Sequence, residues 1–456
     1  MFRSLTWVVR PVHWSAVLSE VTLIKHAPVT SLLMRKNMSS SKFGLSKKLI
    51  GTEKNIWVEF GKLATECKAL NLGQGFPDFK PPEYVLEALE TCARSDNFSL
   101  SQYTRSFGHP RLVNALAKIN SPLIGQNIDP MTQVLVSVGA YGALFSAIQG
   151  MINPGDEVII IEPFFDCYEP MVRVAGGTPR FVPLRPRSSG EASSSGDFTL
   201  DPKELESQFN EKTKIIIVNT PNNPLGKVFL REELEVIAAL CKKYDVVCLA
   251  DEVYEWMTYP GHQHTKIASL PGMWERTLTI GSAGKTFSAT GWKLGWTIGP
   301  EHLMFNSMTM HVNCNYTCPT ILQEAVAIAF EKELSRLESP DCYFRALPAE
   351  LLPKRDMLVK TLKDLGMTPI VPEGGYFIMT DVSKFSVPDD GSGDPKDFQF
   401  VRWMTREKKL AAIPPSAFYS KEHKFMAENY IRFCFIKEDS TLEKAAKILQ
   451  EWKASL

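Results

Sequence analysis

The sequence lacks a net charge: 51 lysines and arginines balance 51 aspartates and glutamates over 456 residues. No global field draws it toward a polyanion. Its short basic runs, Lys47-Lys48 and Lys408-Lys409, do not make the stripe that nucleic-acid binding uses, so no nucleic-acid partner is expected. It also lacks a second pair of cysteines at ligand spacing. The nine cysteines are scattered, and Cys314 and Cys318, with His311 just before them, have no second pair, so no metal is expected. Such usage suits a reducing compartment. No stretch reaches the roughly 18 apolar residues of a membrane span, and no membrane insertion is expected. Internal repeats and coiled-coil heptads are missing as well.

Residues 1–40 are short of acid. Glu20 stands alone against Arg3, Arg10, Lys25, Arg35 and Lys36, among alternating apolar and hydroxylated residues. That is the pattern of a transit peptide, which points to the mitochondrial matrix. Met38, in Asn37-Met38-Ser39-Ser40, offers an alternative start that would leave a cytoplasmic form.

What is present is a series of short, nearly all-apolar runs separated by amphipathic helical stretches. They are Val134–Val138, Glu157–Ile161, Thr178–Pro183, Ile215–Val218, Val246–Ala250, Leu278–Ile280 and Gly295–Ile298. This is the mark of a mostly parallel sheet covered on both faces, hence one large α/β domain over residues 76–330. Residues 41–75 read as an N-terminal arm contributing to a smaller α/β domain at 331–456, with strands at Tyr376–Thr380 and Tyr430–Phe435. A helix is expected from Glu83, after Pro81-Pro82, and another through 324–330, bridging the two domains. Ser188–Gly196 and the acidic stretch 385–397 read as loops.

Ligands of open parallel sheets sit at the carboxyl ends of the strands, and the polar residues fall there in order. Gly139-Ala140-Tyr141-Gly142 follows the first run and opens a helix, an anion seat of backbone N–H groups. Asn223 follows the fourth run, Asp251 the fifth, and Ser282 and Lys285 the sixth, with Lys293 eight residues on. Singly, each is a cap, a turn or a surface residue. Jointly they suit a pyridoxal phosphate (PLP) site: Lys285 as the Schiff-base amine, Asp251 as the acid against the pyridine nitrogen, and Tyr254 and Asn223 at the ring oxygen. Ser282, Lys293 and the amides of Ala140 and Tyr141 would take the phosphate, and Phe165 would lie on the ring.

Several stretches closely resemble fold-type I PLP enzymes, specifically class I aminotransferases of the kynurenine aminotransferase, glutamine transaminase K and cysteine-conjugate β-lyase group. They are Asn71–Phe79, Gln102-Tyr103-Thr104, Glu162–Tyr168, Asn219–Gly226 and Ser282–Ser288 with Gly291-Trp292-Lys293. The resemblance runs from about Lys42 to the C-terminus. It implies that Lys285 is catalytic, that Arg432 grips the substrate carboxylate with its planar fork, and that Trp57 and Gly75 line the substrate side. It further implies a homodimer in which Tyr103 reaches the neighbouring phosphate. Many members have arginine after the Gly-Trp pair, whereas Lys293 keeps the charge without the fork. Tyr316-Thr317 stands where the best-known relative has an aromatic followed by histidine, which makes Tyr316 a candidate specificity residue. The expected activity is transfer of the amino group of an L-amino acid to a 2-oxo acid, with β-elimination from cysteine conjugates as a side reaction. Two alternatives stay open: a primary carbon–sulfur lyase and a catalytically dead PLP-fold binding protein.

Overall fold

The computed structural model describes residues 42–187 and 193–456. The targeting segment expected over 1–40 and residues 188–192 of the expected 188–196 loop lie outside the described residues. The chain divides into two units, Met1–Ile50 and Gly51–Leu456. In the first, Lys47–Leu49 forms a single 3-10 turn with no buried residue.

The second unit is built on a seven-stranded sheet. Its strands are β1 (Val134–Val138), β2 (Glu157–Glu162), β3 (Thr178–Pro183), β4 (Thr213–Asn219), β5 (Val247–Asp251), β6 (Thr277–Ser282) and β7 (Leu294–Ile298). The spatial order is β1-β7-β6-β5-β4-β2-β3. All neighbours are parallel except β7, which runs antiparallel to both β1 and β6. Isoleucines 159, 160, 215 and 216 are buried on both faces of the sheet, as a helix-covered parallel sheet requires. Every run read as a strand is one, to within about two residues, the ordinary uncertainty of element ends.

A smaller antiparallel sheet joins β8 (Thr368–Pro369), β9 (Phe377–Asp381) and β10 (Tyr430–Cys434). Ahead of the large sheet, helix Ile56–Glu66 is capped by the Asn55 side chain, which accepts from the Val58 amide. The following Leu70–Asn71 pairs parallel with Leu410–Ala411. The helix expected from Glu83 spans Glu83–Arg94.

The bridging helix is not the expected one. Thr320–Leu334 stays on the large domain, where Phe330 packs against Phe287 and Trp296. Tyr343–Leu365 makes the crossing: Phe344 joins the Phe287–Phe330 cluster, while Leu351, Leu358 and Leu362 pack with Phe433 and Leu449. The alanine-rich face of Thr320–Leu334 is short enough to lie flat on neighbouring helices, which an apolar count alone does not reveal. In the 385–397 stretch, Asp390 and Asp394 both pair with Arg402. Among the described residues no helix is long and apolar enough to cross a membrane.

Candidate active site

The carboxyl ends of β1, β4, β5 and β6 open into a cavity of about 390 Å³. Its wall includes Trp57, Gly75, Ala140, Tyr141, Phe165, Asn223, Asp251, Tyr254, Ser282, Lys285, Lys293 and Arg432, all of them residues singled out from sequence. Tyr103 and Tyr316 are not in that wall. They lie exposed, ring edge to ring face, with centroids 5.3 Å apart. Tyr316 is thus no part of the substrate wall formed by its own chain.

Helix Gly139–Met151 starts directly at the end of β1, so its first amides face the cavity without intrahelical partners. Two glycines make this seat possible. A Cβ on Gly295 would come within 2.4 Å of the Ala140 nitrogen, so β7 can approach the helix start only as glycine. Gly139 has φ +67°, and a Cβ there would lie 3.4 Å from the Lys293 amine. The ammonium therefore sits beside the positive end of the helix, an arrangement whose charge only an anion offsets.

Asp251 ends β5, buried beneath the cavity. Its Oδ2 accepts the Tyr168 hydroxyl at 2.5 Å, and Asn219 donates to its backbone carbonyl at 2.9 Å. Burial pushes its carboxyl up to about 6, although the Tyr168 hydrogen bond and Lys285 act the other way. Lys285 follows β6 on a one-turn helix. Burial brings its amine down to about 8, so an appreciable neutral fraction exists near neutral pH. Its Nζ donates to the Tyr376 hydroxyl at 2.8 Å and the Gly75 carbonyl at 3.2 Å.

Arg432, on β10, is fully buried. Nη1 donates to Asn223 Oδ1 at 2.8 Å and Nη2 to the Gly73 carbonyl at 2.7 Å. Nε has no partner. The guanidinium lies 4.1 Å from the Phe377 ring centroid and within 5.3 Å of those of Trp57 and Phe418. Burial lowers it to about 10. A buried fork with an unused N–H among aromatic rings has the donors to receive a carboxylate.

Sequence reasoning missed Tyr376 and Asp166. Tyr376 precedes β9, its ring 5.1 Å from that of Tyr254 at near right angles. Its partner Lys285 lies 91 positions away, so no local pattern marked it. Asp166 accepts the Trp57 indole N–H at 2.8 Å, and burial raises its carboxyl to about 6.

The model of the aminotransferase class I and II family matches residues 68–449. The chain belongs to this family. It is 57% identical to human kynurenine–oxoglutarate transaminase 3 over 91% of each chain. It is 53% identical to human kynurenine–oxoglutarate transaminase 1 over 90% of this chain and 99% of the relative. Among solved structures, N-succinyldiaminopimelate aminotransferase from Mycobacterium tuberculosis superposes with a TM-score of 0.80 at 33% identity, covering 90% of this chain and all of that one. The protein is therefore an aminotransferase, of a family whose enzymes depend on PLP.

Proposed function

We propose that this aminotransferase binds PLP and moves the amino group of kynurenine, glutamine or other aromatic and sulfur-containing L-amino acids to a 2-oxo acid. The observation that carries the reading is the unpartnered Nε of buried Arg432, in the same cavity as a low-pKa lysine, a buried acid and an anion seat. The residues present fit the cofactor. Lys293, Ser282 and the Ala140 and Tyr141 amides would hold its phosphate, Asp251 its ring nitrogen, Tyr254 and Asn223 its ring oxygen, and Phe165 a ring face. Asn223 Oδ1 is taken by Arg432, which leaves its amide N–H groups free to donate. The identity to the two human kynurenine–oxoglutarate transaminases and the aromatic lining of the cavity support the donor class.

Bound PLP supplies an electron-withdrawing ring that takes up the electron pair left at the substrate α-carbon. Arg432 fixes the substrate carboxylate, and with it the face on which the α-proton points. Lys285 Nζ takes that proton and delivers it again, a task suited to an amine near 8. The Tyr376 hydroxyl and Gly75 carbonyl hold Nζ on that path. Asp251 keeps a proton on the ring nitrogen. Where the β-carbon bears a thiolate leaving group, the same proton removal permits β-elimination as a side activity.

The enzyme works as a homodimer in which Tyr103, with Tyr316 beside it, serves the neighbouring site. The exposure of both rings, away from their own chain's cavity, supports this. Residues 1–40 direct the chain to the mitochondrial matrix, and initiation at Met38 gives a cytoplasmic form. Fractionation of cells expressing the chain with and without residues 1–37 tests this; unchanged import without them refutes it. For the activity, a screen of donors against acceptors on purified protein should read 2-oxo acid production and thiol release. Lys285→Ala should abolish both activities, and wild-type turnover by that variant would overturn the reading.

A further inference from the structure

Glu162, the last residue of β2, is fully buried yet faces no part of the cavity wall. It begins the segment Glu162-Pro163-Phe164-Phe165-Asp166, which supplies Phe165 to the cavity and Asp166 to the Trp57 indole. Its carboxylate is committed to a different stretch of chain, beside the smaller sheet. Oε1 accepts the Ser420 amide and Oε2 is paired with His423 Nδ1. Nearby, the Phe164 amide donates to the Phe418 carbonyl at 2.9 Å, and Asn222 Nδ2 donates to the Pro163 carbonyl at 3.1 Å. Phe418 in turn packs with Trp57, centroids 6.1 Å apart, and flanks the Arg432 guanidinium. The wall formed by Phe165, Trp57 and Phe418 is therefore pinned at both ends, at Asp166 by the indole and at Glu162 by the imidazole.

We propose that Glu162 and His423 are positioning residues: a buried carboxylate paired with a part-exposed imidazole, which together hold the aromatic wall beside Arg432 in register with the carboxyl end of β2. This deepens the reading above and rests on it, since the wall carries Trp57 and flanks Arg432, where the amino-acid donor would bind. A full backbone ladder is missing between β2 and the 418–423 segment, so the pair supplies much of the tie. Removing the imidazole strands a buried carboxylate on a single amide, whereas replacing the carboxylate by a neutral amide as well does not.

The test is a cycle of His423→Ala, Glu162→Gln and the double variant. Each is read by steady-state kinetics with an aromatic donor, by thermal unfolding, and by hydrogen exchange of segments 162–168 and 418–423 in PLP-free protein. His423→Ala should raise KM for the donor roughly tenfold with kcat within about twofold, the loss of one charge-assisted hydrogen bond. Exchange in both segments should quicken. The double variant should regain thermal stability, because no unpaired charge remains, while KM and exchange stay altered, because the tie is still absent. Wild-type KM and exchange in His423→Ala would overturn the proposal. So would a fall in kcat and melting temperature with KM unmoved, the signature of a merely structural residue. The exchange measurement needs neither substrate nor cofactor, so it still decides the proposal should the assigned donor class prove wrong.

Discussion

Arg432→Lys keeps the charge of the residue proposed to bind the substrate carboxylate and removes its shape. The wild-type guanidinium spends two N–H directions on Asn223 Oδ1 and the Gly73 carbonyl and holds Nε unpaired. Substrate therefore meets a fork whose orientation is already fixed, which is where preorganised binding gains most. A lysine ammonium has three donors at one point. If it satisfies Asn223 and Gly73 it has one left for a carboxylate, and if it turns to substrate it leaves two buried acceptors unmatched. Losing one charge-assisted hydrogen bond costs about 1.5–3 kcal/mol, which corresponds to a fall in kcat/KM of roughly 10- to 150-fold. The loss should appear mainly in KM, because the carboxylate is held before and during proton transfer alike. The assay is steady-state transamination with a series of amino donors, each paired with its decarboxylated amine. Wild-type enzyme should favour the amino acid strongly, and the variant should lose that preference. A variant that retains wild-type kcat/KM and wild-type discrimination would show that the carboxylate binds elsewhere.

Asp251 and Lys285 make opposite contributions to the pH dependence of PLP-free protein. The Asp251 carboxyl is raised from an ordinary 3.8 to about 6, so the folded state holds the extra proton between those values and stability falls as pH rises through them. The Lys285 amine is lowered from 10.5 to about 8, so the unfolded state holds the extra proton there and stability rises with pH across that window. Chemical denaturation should show Asp251→Asn flattening the acid slope and Lys285→Ala the alkaline one; parallel wild-type and variant profiles would refute the assignment. Tyr376→Phe removes the hydroxyl from Lys285 Nζ and should lower kcat by roughly tenfold with KM little changed, the worth of one hydrogen bond to an ammonium; an unaltered kcat would exclude a role in holding the amine. Gly295→Ala drives a methyl into the Ala140 amide and should weaken PLP binding far more than it lowers the melting temperature, as equilibrium dialysis would measure; wild-type affinity would show that the helix start is not the phosphate seat.

The strands were legible because a doubly covered sheet writes itself as short apolar runs, and Val134–Val138 and Thr178–Pro183 coincide with the runs read from sequence. Their order was not. Nothing in Leu294–Ile298 says that it inserts antiparallel between the first and sixth strands, because direction and neighbour depend on which helices cover which face. The site residues at strand ends were equally legible, since the fold places any ligand there. Tyr376 and Asp166 were hidden for the opposite reason. They reach the site through contacts with residues 91 and 109 positions away, and no local pattern records such a partner.

That division has a physical basis that bears on specificity. The groups proposed to handle charge on the cofactor, Asp251, Ser282, Lys285 and Lys293, all come from the large sheet, where a shift of one residue in register would bury a charge without a partner. The groups proposed to meet the rest of the substrate are assembled from the N-terminal arm and the smaller sheet: Trp57 before the large sheet and Arg432 on β10, with Phe418 packed against both. Their contacts are largely aromatic, and aromatic packing tolerates exchange of one large ring for another far better than a buried ion pair tolerates loss of a partner. The chemistry is thus fixed by one element of the fold, while donor preference rests on a junction between several. Substitutions at Trp57 or Phe418 should therefore re-rank donors while leaving the proton transfer at Lys285 intact.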